Sequence, residues 1–286
     1  MQEQTTRIFT VAIMSASLLL FADGTTAQSP QTIGTSAPLQ TDSPGFTGAV
    51  ASKSVFRIVC KEKGIFGTGF LHKSGNIITA AHVVDGCPTL DIWLPDNTKM
   101  VSKVIKVDEN IDLALLKPEK HIDAPALAIA NTPNLQVGAL ISLWGFPAGY
   151  SGIPPMLSVG YLSGIDGVKT KSGKVVAQFV LNAAVNHGDS GGPVLLVETG
   201  EVIGIADNKI APLSDTTMSA LAALENQPSG FVYPAIMPDG TKHNFSEGQV
   251  IAMVLEDLRQ QVQLVIGHAV AIGDLRAFLT KNGVDP

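Results

Sequence analysis

Residues 186–193 read NHGDSGGP, a stretch in which three glycines and a closing proline crowd one serine, Ser190. Glycines at this density indicate a backbone that turns tightly or approaches another group closely. A serine hydroxyl is a poor nucleophile unless a neighbouring base takes its proton. The stretch therefore raises the question whether the chain also supplies a histidine as the base and a carboxylate to orient it.

Among the histidines of the chain, His82 has the most suggestive surroundings. It follows a short apolar run and two small alanines in NIITAAHVV (76–84), and small neighbours leave room for an imidazole at the end of a strand. Asp112 heads an apolar run in NIDLALLK (110–117), where an unpaired buried carboxylate would be costly. A histidine N–H would satisfy that carboxylate and fix the tautomer of the ring.

Composition narrows the class of protein. With 286 residues, 45% of them hydrophobic, the chain can bury a core without metal or disulfide staples. A net charge of −6 and the absence of basic clusters argue against a nucleic-acid partner. No H-E-x-x-H, paired C-x-x-C or G-x-x-x-x-G-K-[ST] motif occurs, so we predict neither a metal nor any other cofactor.

The first residues indicate export. Arg7 precedes IFTVAIMSASLLLF (8–21), and Ala27 ends a run of small residues that suits cleavage. Because this apolar run is shorter than the ~20 residues of a membrane span, it predicts a signal peptide, residues 1–27, and a secreted or periplasmic mature chain without a membrane span. The alternative is an uncleaved anchor. Residues 28–50, rich in Ser, Thr, Pro and Gly, are predicted to be a flexible linker.

The chain has two cysteines, Cys60 and Cys87. In an oxidising compartment such a pair favours a disulfide bond, and the alternative is two separate buried thiols.

Short β-like runs bounded by turn residues dominate residues 51–286, which we assign to one domain. Two sets of six such runs predict an all-β fold of two six-stranded antiparallel β-barrels, the first at about 51–120 and the second at about 130–286. A helical insertion at about 213–262 interrupts the second barrel, and its role is left open by the sequence. It is predicted to hold helices at 214–228 and 246–260, and a C-terminal helix is predicted to start near Asp274.

The segments TAAHVV (79–84), DLALL (112–116) and GDSGGP (188–193) resemble, in chain order, the signature segments of the trypsin/chymotrypsin-type serine peptidases. GTGFLHKSGNIITAAHVV (67–84) and LSVGYLSGI (157–165) are similar to the bacterial Deg/HtrA branch. That branch usually continues into peptide-binding PDZ domains, and we expect none in this sequence.

The resemblance implies a role for each matching residue. Ser190 would be the nucleophile that forms an acyl-enzyme, His82 the general base and then the general acid, and Asp112 the group that orients His82. The backbone N–H groups of Gly188 and Ser190 would form the oxyanion hole.

The resemblance also implies a substrate pocket. Ala184 would lie at its base, with Val185, His187, Ile203 and Ile205 around it. A base that is not acidic predicts a preference for small or medium aliphatic side chains.

Asp189 departs from the Deg/HtrA pattern, which usually has asparagine before the serine. In the trypsin branch an aspartate here pairs with a newly cut N-terminal amine, but residues 28–52 hold no convincing activation sequence. Its partner is therefore left open.

These features predict an exported serine endopeptidase that acts on polypeptides; the sequence leaves its oligomeric state open. One alternative is a catalytically silent binding protein on a protease fold. The other is an esterase, since G-x-S-x-G also marks the nucleophile elbow of α/β-hydrolases. Pro193 and the β-rich sequence after it do not match the helix that an elbow requires, so the esterase is less favoured.

Overall fold

The computed structural model describes residues 48–131, 135–170, 172–207, 215–226, 230–236, 241–261 and 266–286. The predicted signal peptide and the predicted linker up to residue 47 lie outside these ranges. Within them, no helix is both long and apolar enough to cross a membrane.

Helix α1 (Gly48–Ser54) begins inside the segment predicted to be a linker, so that prediction extended too far along the chain. The helix is held by buried contacts. Ala51 and Ser54 are fully buried, and Ser54 Oγ lies 2.8 Å from the carbonyl oxygen of Val50 and 2.5 Å from that of Pro125. The Ser-, Thr-, Pro- and Gly-rich composition of residues 28–50 did not indicate these buried contacts.

The first barrel is closed by six antiparallel strands in the order β1-β2-β3-β6-β5-β4. Its interior is filled by β-branched and aromatic side chains such as Phe56, Ile58 and Ile92, all fully buried. This confirms the predicted six-stranded barrel. The strands are β1 (Val55–Cys60), β2 (Ile65–Leu71), β3 (Ile77–Thr79), β4 (Thr89–Trp93), β5 (Lys99–Asp108) and β6 (Leu113–Pro118).

The second barrel is closed in the order β10-β11-β14-β9-β8-β7 and confirms the second prediction. Helix α4 (Ile272–Lys281) follows β14 directly and buries Leu275, Phe278 and Leu279. The strands are β7 (Leu140–Gly145), β8 (Met156–Lys169), β9 (Val175–Asn182), β10 (Pro193–Leu196), β11 (Val202–Asp207) and β14 (Ile266–Ala271).

The insertion forms a separate compact unit that spans Leu213–Glu256. Both predicted helices are present, as α2 (Asp215–Asn226) and α3 (Glu247–Gln261). Between them lies a hairpin that we did not predict, formed by β12 (Val232–Ile236) and β13 (Lys242–Ser246). Pro234 within β12 explains the miss, because proline weakens a strand prediction.

A capping box starts helix α3. Ser246 N–H donates to Gln249 Oε1 at 2.9 Å, and Gln249 N–H donates to Ser246 Oγ at 3.3 Å. The spacing of the two residues had indicated this reciprocal pair, which satisfies two N–H groups at the helix start.

The predicted disulfide is confirmed, with Cys60 bonded to Cys87 and a Cα–Cα distance of 6.2 Å. It connects the end of β1 to the residues just before β4. The enclosed loop contains a single 3-10 turn, His82–Val84, which follows β3. The bond therefore ties together the two ends of the segment that carries His82.

Replacing both cysteines, as Cys60→Ala/Cys87→Ala, should lower the free energy of unfolding by about 3–4 kcal/mol. The chain-entropy model gives this value for the loop set by a sequence separation of 27. Urea unfolding of the oxidised wild type and the double variant measures it. Reduced wild type should match the variant, and equal stability of oxidised wild type and variant would contradict the prediction.

Candidate active site

His82 and Asp112 are joined at two points. His82 Nδ1 lies 2.7 Å from Asp112 Oδ2, and the backbone N–H of His82 donates to Asp112 Oδ1 at 2.9 Å. Because a carboxylate accepts hydrogen bonds, Nδ1 carries the proton and Nε2 is left to accept one. Asp112 has a φ of 55°, a left-handed value that is uncommon for a residue other than glycine. The contact thus sets the carboxylate, the ring and its tautomer together.

The surroundings of His82 strengthen it as a base. Burial alone lowers the pKa of the ring, but the hydrogen bond and the charge of Asp112, with a further contribution from the charge of Asp207, outweigh it. The pKa of His82 is therefore raised above its ordinary value of 6.5.

Sequence analysis missed Asp207, the last residue of β11. Oxygens of Asp207 and Asp112 and a ring nitrogen of His82 lie within 4.8 Å of one another. Asp207 is buried and accepts a hydrogen bond from Gln178 Nε2 at 3.0 Å. An acid at the end of the apolar run VIGIAD could have been found by the argument used for Asp112.

A histidine and two carboxylates could in principle bind zinc. Two ligands of a tetrahedral zinc ion lie about 3.3 Å apart. His82 Nδ1 and Asp112 Oδ2 are 2.7 Å apart, the separation of a hydrogen bond. The arrangement is thus that of a hydrogen-bonded network rather than a set of metal ligands.

The loop that carries Ser190 meets the histidine turn at strand β2. Thr68 N–H donates to the carbonyl oxygen of Ser190 at 2.8 Å. A Cβ placed on Gly67 would lie 2.6 Å from Val83 and 3.1 Å from the same carbonyl oxygen. Glycine at position 67 therefore allows the loop that carries Ser190 and the turn that holds His82 to approach each other.

Ser190 itself is almost fully buried, with 3% of its surface exposed. Among the hydrogen bonds of the described residues, none joins His82 to Ser190 Oγ. In unliganded enzymes such a bond is often long and tightens only when substrate binds. The structure thus shows a direct contact between His82 and Asp112. It places the Ser190 loop against strand β2, which also packs against the turn that holds His82.

Two backbone N–H groups of the Ser190 loop are of interest as donors. Within the described residues, neither Gly188 N–H nor Ser190 N–H donates to a protein acceptor. The carbonyl oxygen of His187, the residue before Gly188, accepts a hydrogen bond from Ala148 N–H at 2.6 Å. This carbonyl therefore points towards the loop that contains Ala148. Gly188 has a φ of 96°, and a Cβ there would clash with the carbonyl oxygen of Phe146, so only glycine fits.

Thr68 is a second residue that sequence analysis missed. Its side chain is fully buried, and Oγ1 donates to the carbonyl oxygen of Gly188 at 2.7 Å. The same Oγ1 accepts from Phe146 N–H at 3.0 Å. Thr68 thereby connects β2 to the loop that carries Ser190 and to the segment that follows β7. A polar residue between two glycines in the apolar strand GTGF was the available signal.

The partner of Asp189, left open by the sequence, is the neighbouring backbone. Asn186 N–H donates to Asp189 Oδ2 at 2.8 Å, and no ion pair of the described residues includes Asp189. Burial raises the pKa of this carboxyl to about 7, against the lowering effect of its hydrogen bonds with Asn186. Oδ1 lies close to Gly145, where a Cβ would clash with it.

The residues predicted to line a substrate pocket separate into two groups. Ala184 and His187 are exposed, and Val185 is buried beside them, packed over Gly267. His187 packs edge-on against Phe66 at 5.0 Å between ring centroids. Burial, and then the charge of His82, lower the pKa of His187.

Ile203 and Ile205 belong to the core instead. Both are fully buried, because every residue of β11 is enclosed by the barrel and its neighbours. Their side chains offer no surface to a substrate in this structure, which corrects the expectation for these two positions.

A cleft of about 320 Å³ lies where the two barrels meet, next to His82. The first barrel contributes Asp112 to its wall, and the second contributes Gln178 and Asp207. The ionisable cluster therefore draws on both barrels.

Thr68→Val should lower the free energy of unfolding by about 2–4 kcal/mol, because valine leaves the Gly188 carbonyl and the Phe146 N–H buried without a partner. Denaturant unfolding measures this. The matched control is Thr98→Val, where an exposed hydroxyl bonds Asp96, with an expected loss below about 1 kcal/mol. Equal losses in the two variants would contradict the role given to Thr68.

Asp189→Asn should become more stable relative to wild type as pH rises from 5 to 8. The folded chain holds a proton on Asp189 up to about pH 7, whereas the unfolded chain releases it near 3.8, so wild type loses stability across this range. The asparagine of the variant has no ionisable group, so position 189 makes no such contribution in the variant. We expect a relative gain of roughly 2–4 kcal/mol, measured by unfolding at both pH values.

The control for this measurement is Asp123→Asn, at an exposed position. It should show no such dependence on pH. A stability difference between wild type and Asp189→Asn that stays constant from pH 5 to 8 would contradict the prediction.

Comparison with known proteins is consistent with this geometry. Residues 67–205 match the model of the trypsin-like peptidase domain. A protein of Rickettsia prowazekii named "Probable periplasmic serine endoprotease DegP-like" is 27% identical over 219 residues, which cover 76% of this chain and 41% of that protein. A protein of the same name from Pseudomonas fulva is 33% identical over 146 residues, 51% of this chain and 29% of its own. The chain thus spans less than half the length of these relatives.

Among solved structures, the active form of the Rv3671c protease from M. tuberculosis has a similar fold, with a TM-score of 0.55 and 20% sequence identity. The match covers 83% of this chain and 84% of that one. Residues 67–205 are therefore similar to the trypsin-like peptidase domain, and the two relatives above are named as DegP-like serine endoproteases.

Proposed function

We propose that this chain is an exported serine endopeptidase in which Ser190, His82 and Asp112 act as a catalytic triad. The observation that carries the proposal is the two-point contact of His82 with Asp112, beside a glycine-turned serine loop. A histidine held in one tautomer, with Nε2 left to accept a proton, is what activation of a serine requires.

The chemical steps follow from these groups. Ser190 Oγ attacks the carbonyl carbon of the peptide bond while its proton passes to His82 Nε2. The carbonyl electron pair moves to oxygen, and the N–H groups of Gly188 and Ser190 bind the resulting oxyanion. The imidazolium then gives its proton to the leaving amine as the C–N bond breaks, which leaves an acyl-enzyme. Water then attacks the acyl carbon while its proton passes to His82, the bond between that carbon and Ser190 Oγ breaks, the imidazolium returns the proton to Oγ, and the acid is released.

The substrate class follows from the exposed residues near the serine. Ala184 offers a small surface without charge, which suits a small or medium aliphatic side chain. His187, beside it, would contact the substrate at the rim. Polypeptides are the proposed substrates, and no cofactor takes part in the steps above.

Export is supported by three independent features. The sequence begins with the pattern of a signal peptide, the structure contains the disulfide Cys60–Cys87, and the relatives carry the word periplasmic in their names. Disulfides form and persist in oxidising compartments.

A catalytically silent protein on the same fold is the second candidate. The observation in its favour is that no hydrogen bond of the described residues joins His82 to Ser190 Oγ. The next experiment separates the two candidates, because a silent protein would not react with a mechanism-based probe.

A labelled fluorophosphonate should modify wild type covalently and should not modify Ser190→Ala. Cleavage of unfolded casein should fall at least about 10³-fold in that variant, because its nucleophile is missing. Circular dichroism and Tm should be unchanged. The control is Ser163→Ala, an exposed serine on β8, which should keep full activity.

Casein cleavage that survives in purified Ser190→Ala would contradict the proposed nucleophile. Wild type that neither cleaves casein nor takes up the probe would favour the silent candidate.

A further inference from the structure

Asp207 is a carboxylate that the steps above do not use. It ends strand β11, which is hydrogen-bonded to β10 on one side and to β14 on the other, so its backbone is fixed within the second barrel. Only 5% of its surface is exposed. Its carboxylate is nonetheless close to His82 and Asp112, which come from the first barrel.

Gln178 on β9 holds the Asp207 side chain in place. Gln178 is itself buried, and its Nε2 donates to Asp207 Oδ2 at 3.0 Å. Both side chains line the cleft next to His82. A buried carboxylate with an amide directed at one oxygen has a defined orientation, so its charge acts on the ring from one fixed direction.

We propose that Asp207 is a positioning residue for the reaction: a second carboxylate, supplied by the second barrel, that stabilises the imidazolium of His82 when Ser190 gives up its proton. The inference rests on the proposed triad. The second barrel would then supply a negative charge that stabilises protonated His82, in addition to the contact with Asp112 from the first barrel.

The sign of the effect follows from the charges. An anion near the ring favours the protonated form, in the same direction as Asp112. Other ionisable groups also face this region, and the test holds them constant: Glu109, Lys169, His187, His268 and Asp274. Removing the charge of Asp207 alone should therefore weaken His82 as a base.

The experiment compares wild type with Asp207→Asn and Asp207→Ser. In wild type, kcat/KM for a peptide substrate should rise with pH to a half-maximum above pH 6.5. In both variants we expect this half-maximum at lower pH, by about half a unit to one unit. At pH 8.5 kcat should fall about 3- to 10-fold, because the imidazolium of the transition state is less stabilised.

Two variants and a control guard against indirect effects. Glu198→Gln removes the same charge at an exposed position after β10 and should leave the pH profile unchanged. A loss of folding would lower activity at every pH without moving the half-maximum. A half-maximum that stays within 0.2 units of wild type in both Asp207 variants would overturn the inference.

A second readout does not depend on activity. The ring protons of His82 are titrated by NMR in Ser190→Ala, with and without Asp207→Asn, and the titration midpoint should fall with the added change. If wild type proves to be no protease but this midpoint moves, the triad proposal fails and the contact with Asp207 stands. If wild type is a protease and the midpoint does not move, only the role of Asp207 fails.

Discussion

The contact between His82 and Asp112 is the interaction on which the site depends. It uses both oxygens of one carboxylate, one for the ring and one for the backbone of the same histidine. Because both of its oxygens are bonded, the Asp112 carboxylate cannot rotate without breaking one of the two hydrogen bonds, so it holds the ring of His82 in one orientation. The left-handed backbone of Asp112 is the local strain that accompanies this arrangement.

The two barrels divide the work of building the site. The first barrel holds His82, Asp112 and, through Thr68, the loop that carries Ser190. The second barrel carries Ser190 and contributes Asp207 to the cleft. Because the hydroxyl of Thr68 is bonded to Gly188 and Phe146 at once, a small shift between the barrels would disturb the Ser190 loop and the segment at Phe146 together.

How much of the structure could be predicted from the sequence depends on how far apart in the chain the interacting residues lie. Alternating apolar runs gave all twelve barrel strands, and the spacing of Ser246 and Gln249 gave a capping box. The disulfide followed from composition and the inferred compartment. The local sequence singled out His82 and Asp112, the likeness to serine peptidases assigned each a role, and the structure brings the two residues into contact.

The misses concern residues whose role depends on distant partners. Thr68 and Gly188 are 120 positions apart, and no local pattern reveals their hydrogen bond. Asp207 was missed for the same reason, because the two residues it approaches, His82 and Asp112, belong to the other barrel. Ile203 and Ile205 were assigned to a pocket because of the resemblance, but an apolar strand can face either a cleft or a core, and in the closed barrel both side chains are buried. The hairpin at 232–246 was hidden by a proline. The disulfide has a further consequence: the segment that bears His82 is tied at both ends only where thiols are oxidised, so the redox state of the surroundings governs how firmly the ring of His82 is held.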